Sequence, residues 1–334
     1  MAQSVLGLDI GGANLKAAHV DGYTLHRPFA LWKQPERLEA ELAAILALAP
    51  KVDRLAVTMT GELCDCYATK REGVSAILDA VEAAAGARPV DVWTTDSEFV
   101  DPATARDDWL KAAAANWLAA ATWAGRLVPD ESALLVDCGS TTTDLVPIWE
   151  GIPRPFGLTD IDRLRTRELV YTGARRTPLC ALLGTDTMAE FFATTLDVYL
   201  VLERIAENPA DRDTADGRPA TRDCAHARLA RMLGGDGEIT SREETTELAR
   251  RIATRQAEML RLAARDAASR LPERPRTLLT AGSGEFLIDA ITDPRHGWTD
   301  IRPLSLTERF GADVSRCACA HAVAVLASER VNTR

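Results

Sequence analysis

Histidine and cysteine are scarce, at five and seven in 334 residues. Neither Cys64/Cys66 nor Cys317/Cys319 has a histidine at zinc-finger spacing, and His321 falls in an Ala-rich stretch that reads as a helix. Such thiols are expected to be reduced and packed as small hydrophobes rather than to hold zinc. No apolar run reaches the roughly eighteen residues that a membrane span requires. The first apolar run, 4–10, follows only three residues, too short for an export signal, so a cytoplasmic location is the expectation. Excess positive charge is also missing. The 49 acidic residues against 39 Lys and Arg give a net charge of −10. A surface of that sign disfavours nucleic acid and anionic membrane as partners. It does not disfavour a small phosphorylated molecule, because backbone N–H groups and a metal ion create local positive potential.

What is present is an ordinary globular balance, 46% hydrophobic and 26% charged, in a chain long enough for two domains. It opens with an apolar strand, VLGLDI, a glycine turn, GGAN, and a second strand, LKAAHVD. Helical spacing follows at 35–48, a buried strand at 55–60, a helix at 74–85 and a strand at 90–94. The Ala- and Trp-rich stretch 107–126 predicts one long helix with Trp109, Leu110, Trp117, Leu118 and Trp123 as its packing face. Pro129-Asp130 marks a boundary. Beyond it the opening pattern returns as ALLVD, CGSTTTD and LVPIWEG, about 128 residues after its first copy. That repeat implies two similar domains facing each other. Residues 195–266 are mainly helical, with 208–222 reading as an exposed loop. A strand at 276–281, a glycine turn at 282–284, a helix from 285 and an apolar helix at 312–328 complete the chain.

Three loops carry the chemistry. In the first, Asp9-Ile-Gly-Gly-Ala-Asn14, a strand follows the glycines, so this is a hairpin turn and not the strand-to-helix loop of nucleotide-binding motifs. Gly11 and Gly12 let the backbone approach a phosphate, Asn14 and Lys16 are candidate phosphate contacts, and Asp9 can hold a metal directly or through water. In the second, Gly139, Ser140, Thr141 and Thr142 lie between Asp137 and Asp144. A plain hairpin needs Asn-Gly or Asp-Gly here, whereas hydroxyls suit phosphate oxygens and the two carboxylates suit Mg²⁺. The third, Gly282-Ser283-Gly284, sits at a strand-to-helix junction where an anion or a nucleotide sugar is favoured. Arg175 and Arg176 are candidates to grip a carboxylate or phosphate bidentately, or to be a solvated pair. His226 lies in what reads as an amphipathic helix and is given no site role.

The three loops, in this order, resemble the superfamily of acetate and sugar kinases, heat-shock chaperone ATPases and actin. Its phosphate motifs match 7–18 and 134–148, its adenosine motif 278–286, and its connecting segments 55–63 and 317–326. The resemblance implies an α/β fold of duplicated ribonuclease H-like domains facing a central cleft. The domains would be 1–128 and 129–311, the second with a helical insertion at about 195–266, and the helix 312–328 would pack back on the first. Within the superfamily, GLDIGGANLK at 7–16, TMTGEL at 58–63 with KREGV at 70–74, and ELVYTG at 168–173 with Arg176-Thr-Pro178 resemble the hydantoinase/oxoprolinase-related branch. More narrowly, they resemble its members tied to tetrahydromethanopterin-linked one-carbon transfer. That resemblance implies a transferase of methanofuran-type coenzyme biosynthesis, which joins an aminomethylfuran diphosphate to the phenol of a glutamylated tyramine and releases diphosphate. Asp9, Asp137 and Glu62 are then the expected catalytic residues, Asp160 a second candidate base, Thr60, Arg175 and Arg176 substrate contacts, and Asp9, Asp137 and Asp144 the Mg²⁺ ligands. ATP is compatible with the loops but not required by the transferase chemistry. An ATP-dependent small-molecule kinase, ligase or hydrolase uses the same loops and is the alternative. A homodimer is one assembly open to the chain.

Overall fold

A computed structural model describes residues 4–184, 187–291, 298 and 300–332. Its frame is two six-stranded mixed sheets. The first contains β1 (Val5–Ile10), β2 (Asn14–His19), β3 (Thr24–Pro28), β4 (Arg54–Met59), β5 (Val90–Trp93) and β6 (Phe99–Val100), ordered 3-2-1-4-5-6. The second contains β7 (Ser132–Cys138), β8 (Thr143–Trp149), β9 (Ile152–Pro153), β10 (Leu169–Val170), β11 (Thr277–Ala281) and β12 (Arg302–Ser305), ordered 10-8-7-11-12 with β9 on β8. In each sheet the leading strand forms an antiparallel hairpin with the next and pairs in parallel with a strand that returns after helices: β1 with β2 and β4, β7 with β8 and β11. This is the duplicated ribonuclease H-like α/β architecture that the family resemblance implies.

Both leading strands are apolar because both faces are covered. Every residue of β1 is buried, as are all of β7 except Asp137. One core is shared by the two sheets. Val5 and Ala56 from the first, Leu135 and Leu279 from the second, and Trp117, Trp123, Ala322 and Val323 from two helices meet in it. Those helices, Asn116–Gly125 and Ala318–Asn332, pack against each other, and the latter also crosses β1, β2 and β4.

Several elements differ from the reading of the sequence. The stretch 107–126 is not one helix but three pieces, Pro102–Asp107, Trp109–Ala112 and Asn116–Gly125. Asp101 caps the first piece, accepting from the Ala103 and Thr104 amides, and the chain breaks at 113–115, where Ala113 bridges to Met59 and Ala114 takes φ +50°. Leu110 is consequently outside the packing face, 48% exposed. The last helical stretch is likewise divided, into Ala312–Arg316 and Ala318–Asn332, and the segment after the third loop is a 3₁₀ turn, Glu285–Ala290. The segment 208–222 is the largely exposed loop expected up to the helix that starts at Arg222, but it is also pinned. Arg175 holds Asp211 at 2.9 Å, Arg228 holds Asp216 at 3.0 Å, and Asn208 pairs with Ala220.

Candidate functional site

The two hairpins are built alike. Strand register sets Asp9 directly opposite Lys16 across β1 and β2, and Asp137 directly opposite Asp144 across β7 and β8. Directly opposed residues project from the same face of a sheet. Both turns close with the same backbone bond, Gly11 N–H to the Asn14 carbonyl at 3.0 Å and Gly139 N–H to the Thr142 carbonyl at 2.9 Å. The copies differ in how the acid at the end of the first strand is compensated. Lys16 Nζ stands 3.6 Å from Asp9 Oδ2, whereas the matching position in the second hairpin is another acid, Asp144, whose cation comes from elsewhere. That cation is Arg163. It is fully buried, stacked over Trp117 at 3.9 Å, bonded to Asp144 Oδ1 at 2.8 Å and donating to the Glu168 carbonyl at 3.0 Å.

The third turn is docked onto the second hairpin. Gly282 adopts φ +91°, and a Cβ on it would lie 2.3 Å from the Cys138 carbonyl oxygen and 2.5 Å from Asp137 Oδ1. Glycine is therefore the residue that this approach admits. The Ser315 hydroxyl accepts from the Gly282 amide at 3.2 Å. A strap at 172–177 clamps the same hairpin from the other side. A Cβ on Gly173 would meet the Gly139 carbonyl oxygen at 2.6 Å and Thr141 N at 2.7 Å, and the Ala174, Arg175 and Arg176 amides donate to the Gly139 and Ser140 carbonyls at 3.0 Å. Buried polar groups hold the strap: Gln256 donates to Thr172 Oγ1 and the Gly173 carbonyl, and Tyr199 donates to Gln256.

Both hairpins, the third turn and the strap open on one cleft of about 830 Å³ between the sheets. Its walls include Asn14, Lys16, Asp137, Gly139, Ser140, Thr142, Asp144, Arg175, Arg176, Gly282 and Ser283, so most of the residues picked from sequence converge there. Gly11, Gly12, Thr141, Gly284 and Asp9 lie in or beneath the loops and not in the wall. Sequence reasoning missed His26 on β3, Asn116 and Arg316, and it missed the far wall, formed by 205–220. Register offered a signal for His26, which stands opposite Lys16 as Lys16 stands opposite Asp9.

Glu62 and Thr60 are placed differently. The Thr60 and Gly61 amides donate to the Ile10 carbonyl at 2.9 and 3.0 Å, which fixes this turn behind the first hairpin. Glu62 is 1% exposed, outside the cleft wall, with Lys70 Nζ 3.5 Å away; the same ammonium donates to Asp160 at 2.7 Å. One lysine of the first half thus bridges both candidate bases, the second of which is the first residue of a helix in the second half, Asp160–Thr166. Burial pushes the Glu62 carboxyl up to about 7 against the lowering pull of Lys70.

The acids below the loops fit a cation. Burial, then Asp144, raises Asp137 to about 7, and burial raises Asp9 despite Lys16. Asp9 Oδ1 is buried without a hydrogen-bond partner among the described residues. No three acidic, histidine or cysteine side chains converge among the described residues as a closed ligand set. Mg²⁺ suits such a site, since it keeps several waters and takes one or two carboxylates. Asp9 and Asp137 could hold it, and Asp144 has only Oδ2 left beside Arg163.

Paired phosphate-type hairpins from duplicated halves, with a glycine turn between strand and helix and a shared cleft, define the class of two-lobed folds to which sugar kinases and actin belong. The chain belongs to the hydantoinase/oxoprolinase family, whose model matches residues 53–326. It is 34% identical to a protein of Methanocaldococcus jannaschii named (4-{4-[2-(gamma-L-glutamylamino)ethyl]phenoxymethyl}furan-2-yl)methanamine synthase, over 98% of both chains. A protein of the same name from Methanococcus vannielii is 31% identical, covering 61% of this chain and 95% of that one. Among solved structures, a nucleotide-free acetone carboxylase superposes with a TM-score of 0.54 at 10% identity, covering 97% of this chain and 70% of that one.

Proposed function

We propose that this protein is the transferase that forms the aryl ether of a methanofuran-type coenzyme. It would join an aminomethylfuran diphosphate to the phenol of a glutamyl-tyramine-like acceptor and release diphosphate. The observation that carries this reading is the 34% identity to the Methanocaldococcus jannaschii synthase over 98% of both chains. The cleft supports it: two loops rich in N–H and hydroxyl donors suit a diphosphate, whether it is a leaving group or a nucleotide tail.

The donor's C–O bond ionises, because the electron-rich furan ring stabilises the carbocation, and the diphosphate departs with the bonding electrons. The phenol oxygen then attacks the carbon and loses its proton. We assign stabilisation of the departing oxygens to the cleft-lining hydroxyls of Ser140, Thr142 and Ser283, since the Gly139 and Gly282 amides are already bonded to the Thr142 carbonyl and the Ser315 hydroxyl. Mg²⁺ held by Asp9 and Asp137 would neutralise part of that charge. We propose Glu62 as the base, its carboxyl raised to about 7 by burial; because it is 1% exposed and outside the cleft wall, this role requires the acceptor to open the Glu62–Lys70 pair. Lys70 is its positioning partner, and Asp160 shares that lysine.

The test supplies the purified protein with the furan diphosphate, the phenolic acceptor and Mg²⁺, without nucleotide. Ether formation supports the reading. Turnover only with ATP, with ADP released, overturns it in favour of an ATP-driven enzyme.

A further inference from the structure

The glycine loops account for one anion, yet the cleft carries positive charge beyond them. On a chain of net charge −10, its walls hold Lys16, Arg175, Arg176, Arg212 and Arg316 against Asp137, Asp144, Asp211 and Asp213. Some of these are compensated. Arg175 pairs with Asp211 at 2.9 Å, and Arg176 stacks on Trp32 and reaches Asp213 at 3.7 Å. Others are less so. Arg212 makes no ion pair among the described residues, and Arg316 has only the exposed Asp313 of its own helix, at 3.5 Å.

Position makes these cations a set. His26 lies opposite Lys16 in strand register, and the helix Ala312–Arg316 packs on β3, which brings Arg316 beside His26. Ser315, next to Arg316, holds the Gly282 amide, so this part of the wall is fixed to the third turn. Arg175 on the strap and Arg212 on the pinned segment 205–220 line the same cleft. The surplus of cations is felt at His26, where partial burial and then Lys16, Arg316 and Arg175 hold the ring down to about 4. His26 is therefore a neutral hydrogen-bonding ring between cations rather than a further charge.

We propose that His26, Arg316, Arg175 and Arg212 form a second anion subsite in the cleft, which takes the carboxylate of the acceptor's amino-acid end. This rests on the transferase reading above, in which the acceptor carries a glutamyl group. The shared chemistry is an oxyanion, which the distal phosphate of the donor also offers. Cations that line one cleft without full compensation gain from a bound oxyanion, as in charge-assisted pairing.

The experiment measures Kd by calorimetry for γ-glutamyl-tyramine, for tyramine and for inorganic diphosphate with Mg²⁺, on wild type, Arg212→Gln, Arg316→Gln and His26→Gln. The expected result is that the wild type prefers the carboxylated ligand. Each arginine variant should lose about tenfold of that preference, the usual scale for a charge-assisted hydrogen bond, with diphosphate affinity unchanged. Unchanged diphosphate binding also shows that the variant is folded. Loss of diphosphate affinity with the acceptor preference intact overturns the carboxylate assignment in favour of the donor's phosphate. No change in either overturns the subsite. Wild type that forms no ether from the two substrates sinks the transferase reading itself, independently of the variants.

Discussion

Asp137→Asn should stabilise the metal-free protein at alkaline pH while abolishing its activity. Burial, then Asp144, raises the Asp137 carboxyl from 3.8 to about 7. The folded state then holds its proton more tightly than the unfolded chain. The stabilisation this gives is complete below about pH 4 and is lost as pH rises through 7. Three pK units at about 1.36 kcal/mol each give a penalty of up to about 4 kcal/mol above pH 7. This is an upper bound, because Asp137 is only partly shielded by the protein and keeps some contact with water. Asparagine cannot ionise and removes the penalty. Differential scanning calorimetry in EDTA at pH 4.5 and pH 8 should show a Tm gain for Asp137→Asn that is small at the first pH and several degrees at the second. Mg²⁺ should shrink the gain, by stabilising the wild-type carboxylate. A gain equal at both pH values, or confined to the acidic one, would refute the reasoning.

Further outcomes follow from the same geometry. Gly173→Ala places a Cβ 2.6–2.7 Å from backbone atoms of the second hairpin, so overpacking should cost about 1–3 kcal/mol and displace the loop, read as a lower Tm with at least a tenfold weaker diphosphate Kd. Arg163→Met leaves Asp144 without its cation and should destabilise by about 3 kcal/mol in urea unfolding, the scale of a broken buried pair, and Arg163→Met with Asp144→Asn should recover part of it. Lys70→Met removes the charge that lowers Glu62, so the basic group in the kcat/KM pH profile should move upward by roughly one unit. An unmoved profile would take the base role away from Glu62. Asp9→Ala should abolish turnover and leave the far-ultraviolet circular dichroism unchanged, since Asp9 Oδ1 contributes no hydrogen bond to the fold.

The sequence held the fold where the signal is local. Both hairpins are contiguous, each has its acid as the next-to-last residue of an apolar strand, and their repetition reveals the duplication. The same locality explains why Gly11, Gly139, Ser140 and Gly282 could be named before any coordinates. What escaped depends on contacts distant in the chain. Segment 208–222 has no periodicity, and only its ties to Arg175 and Arg228 make it a cleft wall. Arg163 looks like a surface residue on a short amphipathic turn until Trp117, from the other half, closes over it. The long helix expected at 107–126 breaks because Ala113 pairs with Met59 on β4, a demand made by the sheet and not by helix propensity. Glu62 shows a further limit: sequence offered it as the base, while the structure buries it outside the cleft wall, 3.5 Å from Lys70.

On the proposed reaction, the donor's phosphates leave with their bridging oxygen rather than being transferred. An aminomethylfuran diphosphate labelled with ¹⁸O at the bridge between carbon and phosphorus tests it directly. Turnover with the phenolic acceptor, followed by mass spectrometry of the products, should find the label in diphosphate and none in the ether. Label retained on the furan carbon, with phosphate passed to an acceptor, would contradict it.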